Sequence, residues 1–238
     1  MKILVIIPAY NEAESIGKVI SSFEQNRPEL DLLVVNDGSS DETSEVVGKY
    51  ENVKLIDLPF NLGIGGCVHC GFIYAFENNY DVAVQFDGDG QHLISEIEKI
   101  LDPVLEGEVD CMIGSRFVQD LESFRPASIR MIGIRLLRAF SFLLIRQGIS
   151  DQTSGFRAYN EKCIEFFAEQ YPDHYPEPEL IIMLGRHGFK IKEVFTQMRE
   201  RQGGVSSIPV WKGPYYIIRV LLAMFMAYLR TFNHSLNK

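Results

Sequence analysis

The sequence lacks several features that would mark a secreted, membrane-spanning or nucleic-acid-binding protein. Its four cysteines show no disulfide framework, and its first residues read as a strand instead of a signal peptide. The wholly apolar stretch at residues 220–229 is much shorter than the roughly 20 residues that cross a bilayer. A net charge of −9 argues against the broad basic surface on which sequence-independent nucleic-acid binding depends. We therefore expect a cytoplasmic protein that binds no nucleic acid.

The composition is that of a folded globular chain of 238 residues, with 46% hydrophobic and 23% charged residues. This length suits one large α/β domain with a substantial core better than two small domains. We expect the main domain to span residues 1–210 and an amphipathic helix to follow over residues 211–238.

Apolar runs alternate with helical patterns through the first half of the chain, which predicts a doubly wound, mostly parallel α/β sheet flanked by helices. The predicted strands are residues 3–7, 32–35, 53–57, 82–86, 111–113 and 190–198. The predicted helices are residues 11–23, 42–50, 65–77, 94–105, 128–147, 178–187 and 215–232. Residues 150–157 read as a short polar segment, and residues 201–207 read as a loop.

Two carboxylates follow the predicted strand at residues 82–86, in an Asp-Gly-Asp-Gly-Gln-His sequence at residues 87–92. Positions two apart face the same side of an extended chain, and the ligands of such sheets bind beyond the carboxyl ends of the strands. Asp87 and Asp89, with the amide oxygen of Gln91, are hard donors suited to Mg²⁺ or Mn²⁺, and the metal would hold a diphosphate. The alternative is a solvated turn rich in Asp and Gly.

A further acidic residue, Asp37, ends an earlier predicted strand in an Asn-Asp-Gly-Ser sequence. A carboxylate there suits recognition of a ribose or a base, although no Rossmann glycine fingerprint precedes it. The alternative is a turn in which Ser40 or Asp41 caps the following helix. Gly63 lies in a third loop, at residues 61–66, where free backbone N–H groups meet an anion or simply turn the chain.

These segments, taken in order with the Pro-Ala-Tyr-Asn-Glu sequence at residues 8–12, resemble the family 2 glycosyltransferases. The resemblance is greatest to the branch that contains dolichyl-phosphate mannose synthase and the polyprenyl-phosphate glycosyltransferases, and it extends over residues 3–207. It continues in the sequences at residues 114–117, 151–157 and 201–206. The resemblance implies a GT-A fold, which is Rossmann-like, and an inverting hexosyl transfer from a nucleotide-diphosphate sugar.

The resemblance also implies roles for individual residues in holding the donor and a divalent cation, Mg²⁺ or Mn²⁺. The implied donor contacts are to the nucleoside from Pro8, Tyr10, Glu12 and Asp37, to phosphates from Arg116 and Arg201, and through the loop of Gly63. The implied metal ligands are Asp87, Asp89 and Gln91, in an Asp-x-Asp motif.

The acceptor decides whether the reaction needs a general base. A hydroxyl acceptor needs one, whereas a lipid phosphate, with a second pKa of about 6, is already largely anionic at neutral pH. The catalytic candidates besides Asp89 are Asp151, Glu177 and Glu179, of which Glu179 is alternatively a first-turn acid of a helix. Ser207 stands where the mannose synthases commonly carry a lysine. The resemblance favours a lipid-linked acceptor, either a polyprenyl phosphate or a hydroxyl of a lipid-carried glycan, in cell-envelope or polysaccharide biosynthesis. A hydroxyl of a soluble saccharide or another acceptor is the alternative.

Basic residues lie along one line of the predicted final helix, at Lys212, Arg219 and Arg230, opposite a broad apolar face. Such a helix suits the lipid interface, which would make the protein peripheral on the cytoplasmic face of a membrane. Packing on the sheet and pairing in a homo-oligomer are the alternatives.

Two other classes of protein fit the sequence less well. A sugar nucleotidyltransferase is expected to have a glycine-rich, basic loop after its first strand, where this chain has the sequence at residues 8–12. A non-catalytic nucleotide-binding module would not need Asp87 and Asp89 together with the arginines.

Overall fold

The computed structural model describes residues 1–118, 128–172, 176–199 and 213–235. Its strands are β1 (Ile3–Ala9), β2 (Asp31–Asn36), β3 (Val53–Asp57), β4 (Val82–Gln85), β5 (Cys111–Ser115), β6 (Arg157–Asn160) and β7 (Ile191–Phe195). Its helices are α1 (Ile16–Asn26), α2 (Thr43–Val47), α3 (Gly63–Glu77), α4 (Ile97–Leu105), α5 (Ser128–Ile145), α6 (Glu161–Glu169), α7 (Pro176–Arg186) and α8 (Gly213–Ser235), and a short 3₁₀ helix (Ile94–Glu96) precedes α4.

The strands form one seven-stranded sheet in the order β3-β2-β1-β4-β6-β5-β7. β1 is parallel to β2 and β4, β2 is parallel to β3, and β5 is parallel to β7. The prediction of a mostly parallel sheet flanked by helices is confirmed. β6 is the exception, because it runs antiparallel to both β4 and β5. The sequence pattern does not predict β6, which has only four residues and follows a polar segment, and it does not predict α6.

Both faces of the sheet are covered, and alternate residues of β1 enter different cores. Leu4 packs in a core with Phe72 of α3, whereas Val5 packs in a second core with Phe23 of α1. Burying a side chain of this size fully stabilises the fold by about 1.5–3 kcal/mol. Because both faces are filled, the polar side chains that follow the strands are left at the edge of the sheet, where a ligand can reach them.

Three helices of the second half of the chain, α5, α7 and α8, pack against one another. Ile145 of α5 and Val220 and Met224 of α8 belong to the same core as Leu4. The opposite sides of α5 and α8 are exposed, and the large apolar side chains exposed there are Leu136, Phe142, Leu143, Ile218, Leu222, Phe225, Met226 and Leu229. Within the described ranges, no helix is both long and apolar enough to cross a membrane.

Candidate active site

The ends of β1, β2 and β4 lie side by side at the carboxyl edge of the sheet. The Asp37 N–H donates a hydrogen bond to the Ala9 carbonyl (2.9 Å), and the Phe86 N–H donates to the Ile6 carbonyl (3.0 Å). The side chains that follow these three strands therefore share one edge.

The loop at residues 8–12 is tied to the loop after β2 by small polar side chains. The Asn11 N–H donates to the Ser39 hydroxyl (2.9 Å), and the side-chain oxygen of Asn11 accepts from the Ser40 N–H (2.9 Å). Asn11 has a φ of 55°, a left-handed conformation that asparagine adopts more readily than most residues. The half-exposed ring of Tyr10 precedes it. The structure thus brings the segment of the predicted nucleoside contacts Pro8, Tyr10 and Glu12 beside the Asp37 segment.

Asp37 is buried, and its carboxylate accepts a hydrogen bond from the Leu62 N–H (2.7 Å). Leu62 immediately precedes α3, which begins at Gly63. The turn at Gly38 lies close to this loop, because a β-carbon at Gly38 would stand 2.7 Å from the carbonyl carbon of Phe60. Asp37 and the loop of Gly63 are therefore in contact.

Asp87 follows β4 and lies deep between neighbouring elements, yet its side chain is 34% exposed because it opens to the edge. His92 Nε2 lies 3.3 Å from one carboxylate oxygen. The His92 ring is buried and stacks on Phe156, with ring centroids 4.9 Å apart. The carboxylate rests against Gly155, where a β-carbon would stand 2.5 Å from both of its oxygens. Only glycine fits at position 155 without displacing Asp87.

Asp89 is buried, and one of its oxygens accepts from the Gln91 N–H (3.0 Å). Asp87 and Asp89 thus lie on one short loop with Gln91. Within the described ranges, no group of three or more His, Cys, Asp and Glu residues could hold a metal by itself. Two carboxylates still suit Mg²⁺ or Mn²⁺, because such cations keep water and substrate phosphates as further ligands. The chemistry of the donor set therefore fits a divalent cation that is completed by a diphosphate.

The surroundings of Asp87 keep it ionised. Burial raises the pKa of this carboxyl. The hydrogen bond and charge of His92 and the charges of Arg116 and Arg157 outweigh that effect, so the net pKa shift is downward. A ligand carboxylate must be deprotonated to bind a metal, and this environment favours that state.

Arg116 follows β5 and forms a bidentate ion pair with Asp151. Arg116 Nε and Nη2 donate to the two carboxylate oxygens at 2.7 and 2.6 Å, and the Arg116 N–H donates to the same carboxylate at 3.1 Å. The side chain of Asp151 is 0% exposed. Burial raises the pKa of Asp151, but the charge and hydrogen bonds of Arg116 outweigh it and lower the pKa. Both oxygens of Asp151 are thus engaged by Arg116.

Glu193 of β7 fixes the backbone of the segment that carries Asp151. The N–H groups of Ser150 and Asp151 each donate to the Glu193 carboxylate at 2.7 Å. Burial raises the pKa of Glu193, although the two backbone hydrogen bonds oppose that shift. The sequence gives no local signal for this contact, because the partners are far apart in the chain.

Arg157, at the start of β6, is buried beneath this edge. Its nitrogens donate to the carbonyls of Ser154 (2.7 Å), Gln152 (3.0 Å) and Glu177 (3.1 Å). Glu177 lies in the first turn of α7, and burial raises its pKa while the charge of Arg157 lowers it. The four residues of β6, Arg-Ala-Tyr-Asn, form no apolar run, so the sequence gives no local signal that Arg157 is buried.

Glu179 and Arg201 are the two remaining predicted site residues. Glu179 lies buried in the first turn of α7, close in sequence to Glu177. Arg201 lies outside the described residues, as do Ser207 and the loop predicted at residues 201–207.

Sequence comparison gives the class of protein that carries this edge. The sequence profile described as glycosyl transferase family 2 matches residues 4–168. The chain belongs to that family, and its sheet is of the GT-A type.

Two similar proteins have names that specify different sugars, mannose in one and N-acetylglucosamine in the other. The polyprenol monophosphomannose synthase of Mycolicibacterium smegmatis is 30% identical over 213 residues, which cover 86% of this chain and 80% of that protein. The UDP-N-acetylglucosamine–dolichyl-phosphate N-acetylglucosaminyltransferase of Methanococcus voltae is 31% identical over 184 residues, which cover 71% of this chain and 73% of that protein.

Among solved structures, the fold is similar to glucosyl-3-phosphoglycerate synthase from Mycobacterium tuberculosis in complex with Mn²⁺, uridine-diphosphate-glucose and phosphoglyceric acid. The TM-score is 0.72 at 19% sequence identity, with 95% of this chain and 79% of that chain covered. At this identity the likeness shows the fold alone.

Proposed function

We propose that this chain is an inverting, divalent-metal-dependent glycosyltransferase that moves a sugar from a nucleotide-diphosphate sugar to a lipid-linked acceptor. The observation that carries the proposal is the juxtaposition of Asp37 with the Asp87 and Asp89 loop at the carboxyl edge of a GT-A sheet. The natural setting of such a reaction is cell-envelope or polysaccharide biosynthesis at the cytoplasmic face of a membrane.

Pro8, Tyr10, Glu12 and Asp37 are proposed to bind the nucleoside, with the loop of Gly63 beside them. The contact between Asp37 and the Leu62 N–H supports this, because it holds the carboxylate at the boundary between β2 and α3. The half-exposed Tyr10 ring is free to cover a base. Base and ribose recognition at strand ends is the usual arrangement in such sheets.

Asp87, Asp89 and Gln91 are proposed to hold Mg²⁺ or Mn²⁺. When bound, the cation offsets the charge that develops on the departing nucleoside diphosphate. Arg116 is proposed to face the phosphates, with its guanidinium oriented by Asp151. Burial lowers the pKa of Arg116, but the charge and hydrogen bonds of Asp151, followed by the charge of Asp87, outweigh it and raise the pKa. The guanidinium therefore lies near the proposed metal ligand Asp87.

The base for a hydroxyl acceptor is proposed to be Glu177 or Glu179 in preference to Asp151. Asp151 is wholly buried and has both oxygens engaged by Arg116, which suits an orienting role. Glu177 is partly accessible, and burial raises its pKa toward the neutral range in which a general base works best.

The lipid-linked acceptor is supported by two independent features. The names of the two relatives contain a polyprenol monophosphomannose product and a dolichyl-phosphate acceptor. In addition, the exposed apolar sides of α5 and α8 are accompanied by the exposed arginines Arg135, Arg138, Arg219 and Arg230. Apolar side chains bordered by cations are suited to the surface of anionic lipids.

A transfer assay with the purified protein tests the function. Radiolabelled UDP- and GDP-sugars are offered with Mn²⁺, using polyprenyl phosphate in detergent as one acceptor and a soluble saccharide as the other. We expect transfer to polyprenyl phosphate that excess chelator stops. Transfer to the soluble saccharide alone would overturn the lipid-linked acceptor and leave a hydroxyl acceptor with Glu177 or Glu179 as its base.

Sedimentation with phosphatidylglycerol vesicles tests the membrane contact. Leu222→Glu places a charge on the exposed side of α8, where Leu222 is 60% exposed, and we expect it to reduce sedimentation. The matched control is Phe76→Glu, at an exposed apolar position of α3, which is expected to sediment as the wild-type protein does. Equal behaviour of the two variants would contradict a membrane contact through α8.

A further inference from the structure

Arg157 is a charged residue in the interior of the protein. It is 1% exposed, and it makes no ion pair within the described ranges. Burying a charge is unfavourable, and replacing a buried charged group with a hydrophobic residue of similar volume is often neutral or stabilising. Stability alone therefore does not account for an arginine at this position.

The hydrogen bonds of Arg157 go to two separate elements of the candidate site. Nε and Nη2 donate to the carbonyls of Ser154 and Gln152, which lie in the segment before β6. Nη1 donates to the carbonyl of Glu177, in the first turn of α7. The planar guanidinium holds these three acceptors in a fixed geometry that the single ammonium group of a lysine cannot reproduce.

The first of these elements, the segment at residues 152–155, packs behind the Asp87 carboxylate and forms the wall of the site there. Gly155 lies between Ser154 and Arg157 in the chain, and its α-carbon is so close to the Asp87 carboxylate that a β-carbon would stand 2.5 Å from both oxygens. By holding the carbonyl of Ser154, Arg157 sets where this wall lies. The wall in turn determines where the Asp87 carboxylate lies relative to a bound metal and diphosphate.

The orientation of Arg157 is not explained by the needs of its cross-strand partner, Gln85 of β4. The buried Gln85 Oε1 has no hydrogen-bond partner within the described ranges, although Arg157 lies opposite it. The hydroxyl of Tyr159, by contrast, interacts with the Arg157 guanidinium. Nε, Nη1 and Nη2 of Arg157 are directed to the loop and the helix instead of to Gln85.

We propose that Arg157 is a positioning residue that joins the wall of Asp87 to the amino-terminal turn of α7, and so fixes the metal-binding edge relative to the acceptor side. The inference rests on the proposed function of this edge. The positive charge of the Arg157 guanidinium also offsets the negative charges of Asp87 and Glu177, and it lowers the pKa of both carboxyls.

The test compares Arg157→Lys and Arg157→Met with the control Cys163→Ala. Cys163 of α6 lies in the same core as Tyr159 and its thiol donates to the Asp110 carbonyl, so the control alters this buried layer and leaves the hydrogen bonds of Arg157 in place. Thermal unfolding and circular dichroism first establish that each variant is folded. Mn²⁺ binding in the presence of UDP or GDP is then measured from the electron paramagnetic resonance signal of free Mn²⁺, alongside kcat and KM for donor turnover.

We expect Arg157→Lys to bind Mn²⁺ at least about tenfold more weakly than the wild-type protein, as is typical when a partner behind a metal ligand is lost. Its kcat should fall, while its affinity for UDP or GDP in excess chelator should stay that of the wild type. Cys163→Ala should match the wild type in every measurement. A loss of nucleotide affinity equal to the loss of Mn²⁺ affinity would indicate general damage to the site and overturn the proposal.

Hydrogen exchange supplies a second readout should Arg157→Met fail to fold. In folded Arg157→Lys, residues 150–157 and 176–180 should both exchange faster than in Cys163→Ala, because one side chain joins them. Wild-type Mn²⁺ affinity or unchanged exchange in Arg157→Lys overturns this inference alone. Failure of the wild-type protein to bind Mn²⁺ or turn over any donor overturns the proposed function, and the inference with it, before any variant is compared.

Discussion

The candidate site has two halves that are held together by different forces. In the half that follows β1 and β2, neutral hydrogen bonds such as those of Asn11 with Ser39 and Ser40 join one exposed loop to another. In the half that follows β4 and β5, the ion pair of Arg116 with Asp151 is buried. A neutral hydrogen bond contributes about 0.5–1.5 kcal/mol, whereas removing one partner of a buried ion pair costs about 3–5 kcal/mol. The first half therefore tolerates change, and the second behaves as one unit.

The largest expected effect is on catalysis in the second half. Asp89→Ala should reduce donor turnover by roughly a thousandfold or more, because a bound divalent cation stabilises developing charge by several kcal/mol. The measurement is the rate of nucleoside diphosphate release at saturating Mn²⁺, with thermal unfolding as a check on folding. Asp102→Ala, at an exposed position of α4, makes the same change of charge and should keep the wild-type rate. Full activity of Asp89→Ala would exclude Asp89 as a metal ligand.

The next largest effect is on stability. Asp151→Asn should lower the free energy of unfolding by about 3–5 kcal/mol, because the Arg116 guanidinium loses the carboxylate that compensates its burial. Urea denaturation measures this change. The comparison is Glu29→Gln, which removes the exposed partner of Arg27 and should cost less than about 1 kcal/mol. Similar losses in the two variants would show that the second half is not the more interdependent one.

A smaller effect is expected in the first half. Asp37→Ala should weaken binding of the nucleoside diphosphate by about tenfold, the equivalent of one hydrogen bond to a charged group, and leave the metal requirement unchanged. Titration calorimetry with UDP and GDP measures the affinity. Asp57→Asn, at the end of β3, keeps a side chain that can accept from Asn36 and should bind as the wild type does. Unchanged affinity in Asp37→Ala would refute a nucleoside contact.

The smallest expected difference between the two halves is in how acid changes the free energy of unfolding. The pKa of Asp151 is lowered in the folded protein by Arg116 despite burial, whereas an unfolded aspartate titrates near pH 3.9. The ionised carboxylate thus contributes stability that is fully present above about pH 4 and is lost as the pH falls through the folded pKa. The free energy of unfolding of the wild type should therefore drop more steeply below about pH 4 than that of Asp151→Asn. Parallel curves would contradict this.

In both halves the sequence predicts the carboxylates at strand ends better than the contacts that support them, and the reason is physical. Asp37, Asp87 and Asp89 each follow an apolar strand, so the rule that parallel strands end at one edge predicts where they lie. The contact of Arg116 with Asp151 spans 35 positions and depends on a segment that precedes an antiparallel strand. No local pattern encodes such a pairing, which is why Asp151 reads from the sequence as a candidate base.

The same limit applies to the residues that the sequence pattern does not assign. Arg157 and Glu193 act on backbone groups of other segments, and their roles become visible only once β6 and β7 are in place. His92 belongs to a recognisable motif, but its contact with Asp87 depends on the stacking surface of Phe156. Local sequence patterns predict where the strands end, whereas the contacts that support those ends depend on the order of the strands in the sheet.

The position of β6 has a consequence for how the protein folds. β6 enters the sheet between β4 and β5 although it follows both in the chain, and its partners on β4 are distant in sequence. Contacts of this kind are formed slowly, because a long loop must close before they stabilise the chain. We expect β6 to dock late, with substitutions in it changing the rate of unfolding more than the rate of folding. Until it docks, Asp87 has no Gly155 to rest against, so we expect a newly synthesised chain to complete the proposed metal-binding edge only in the last stage of folding.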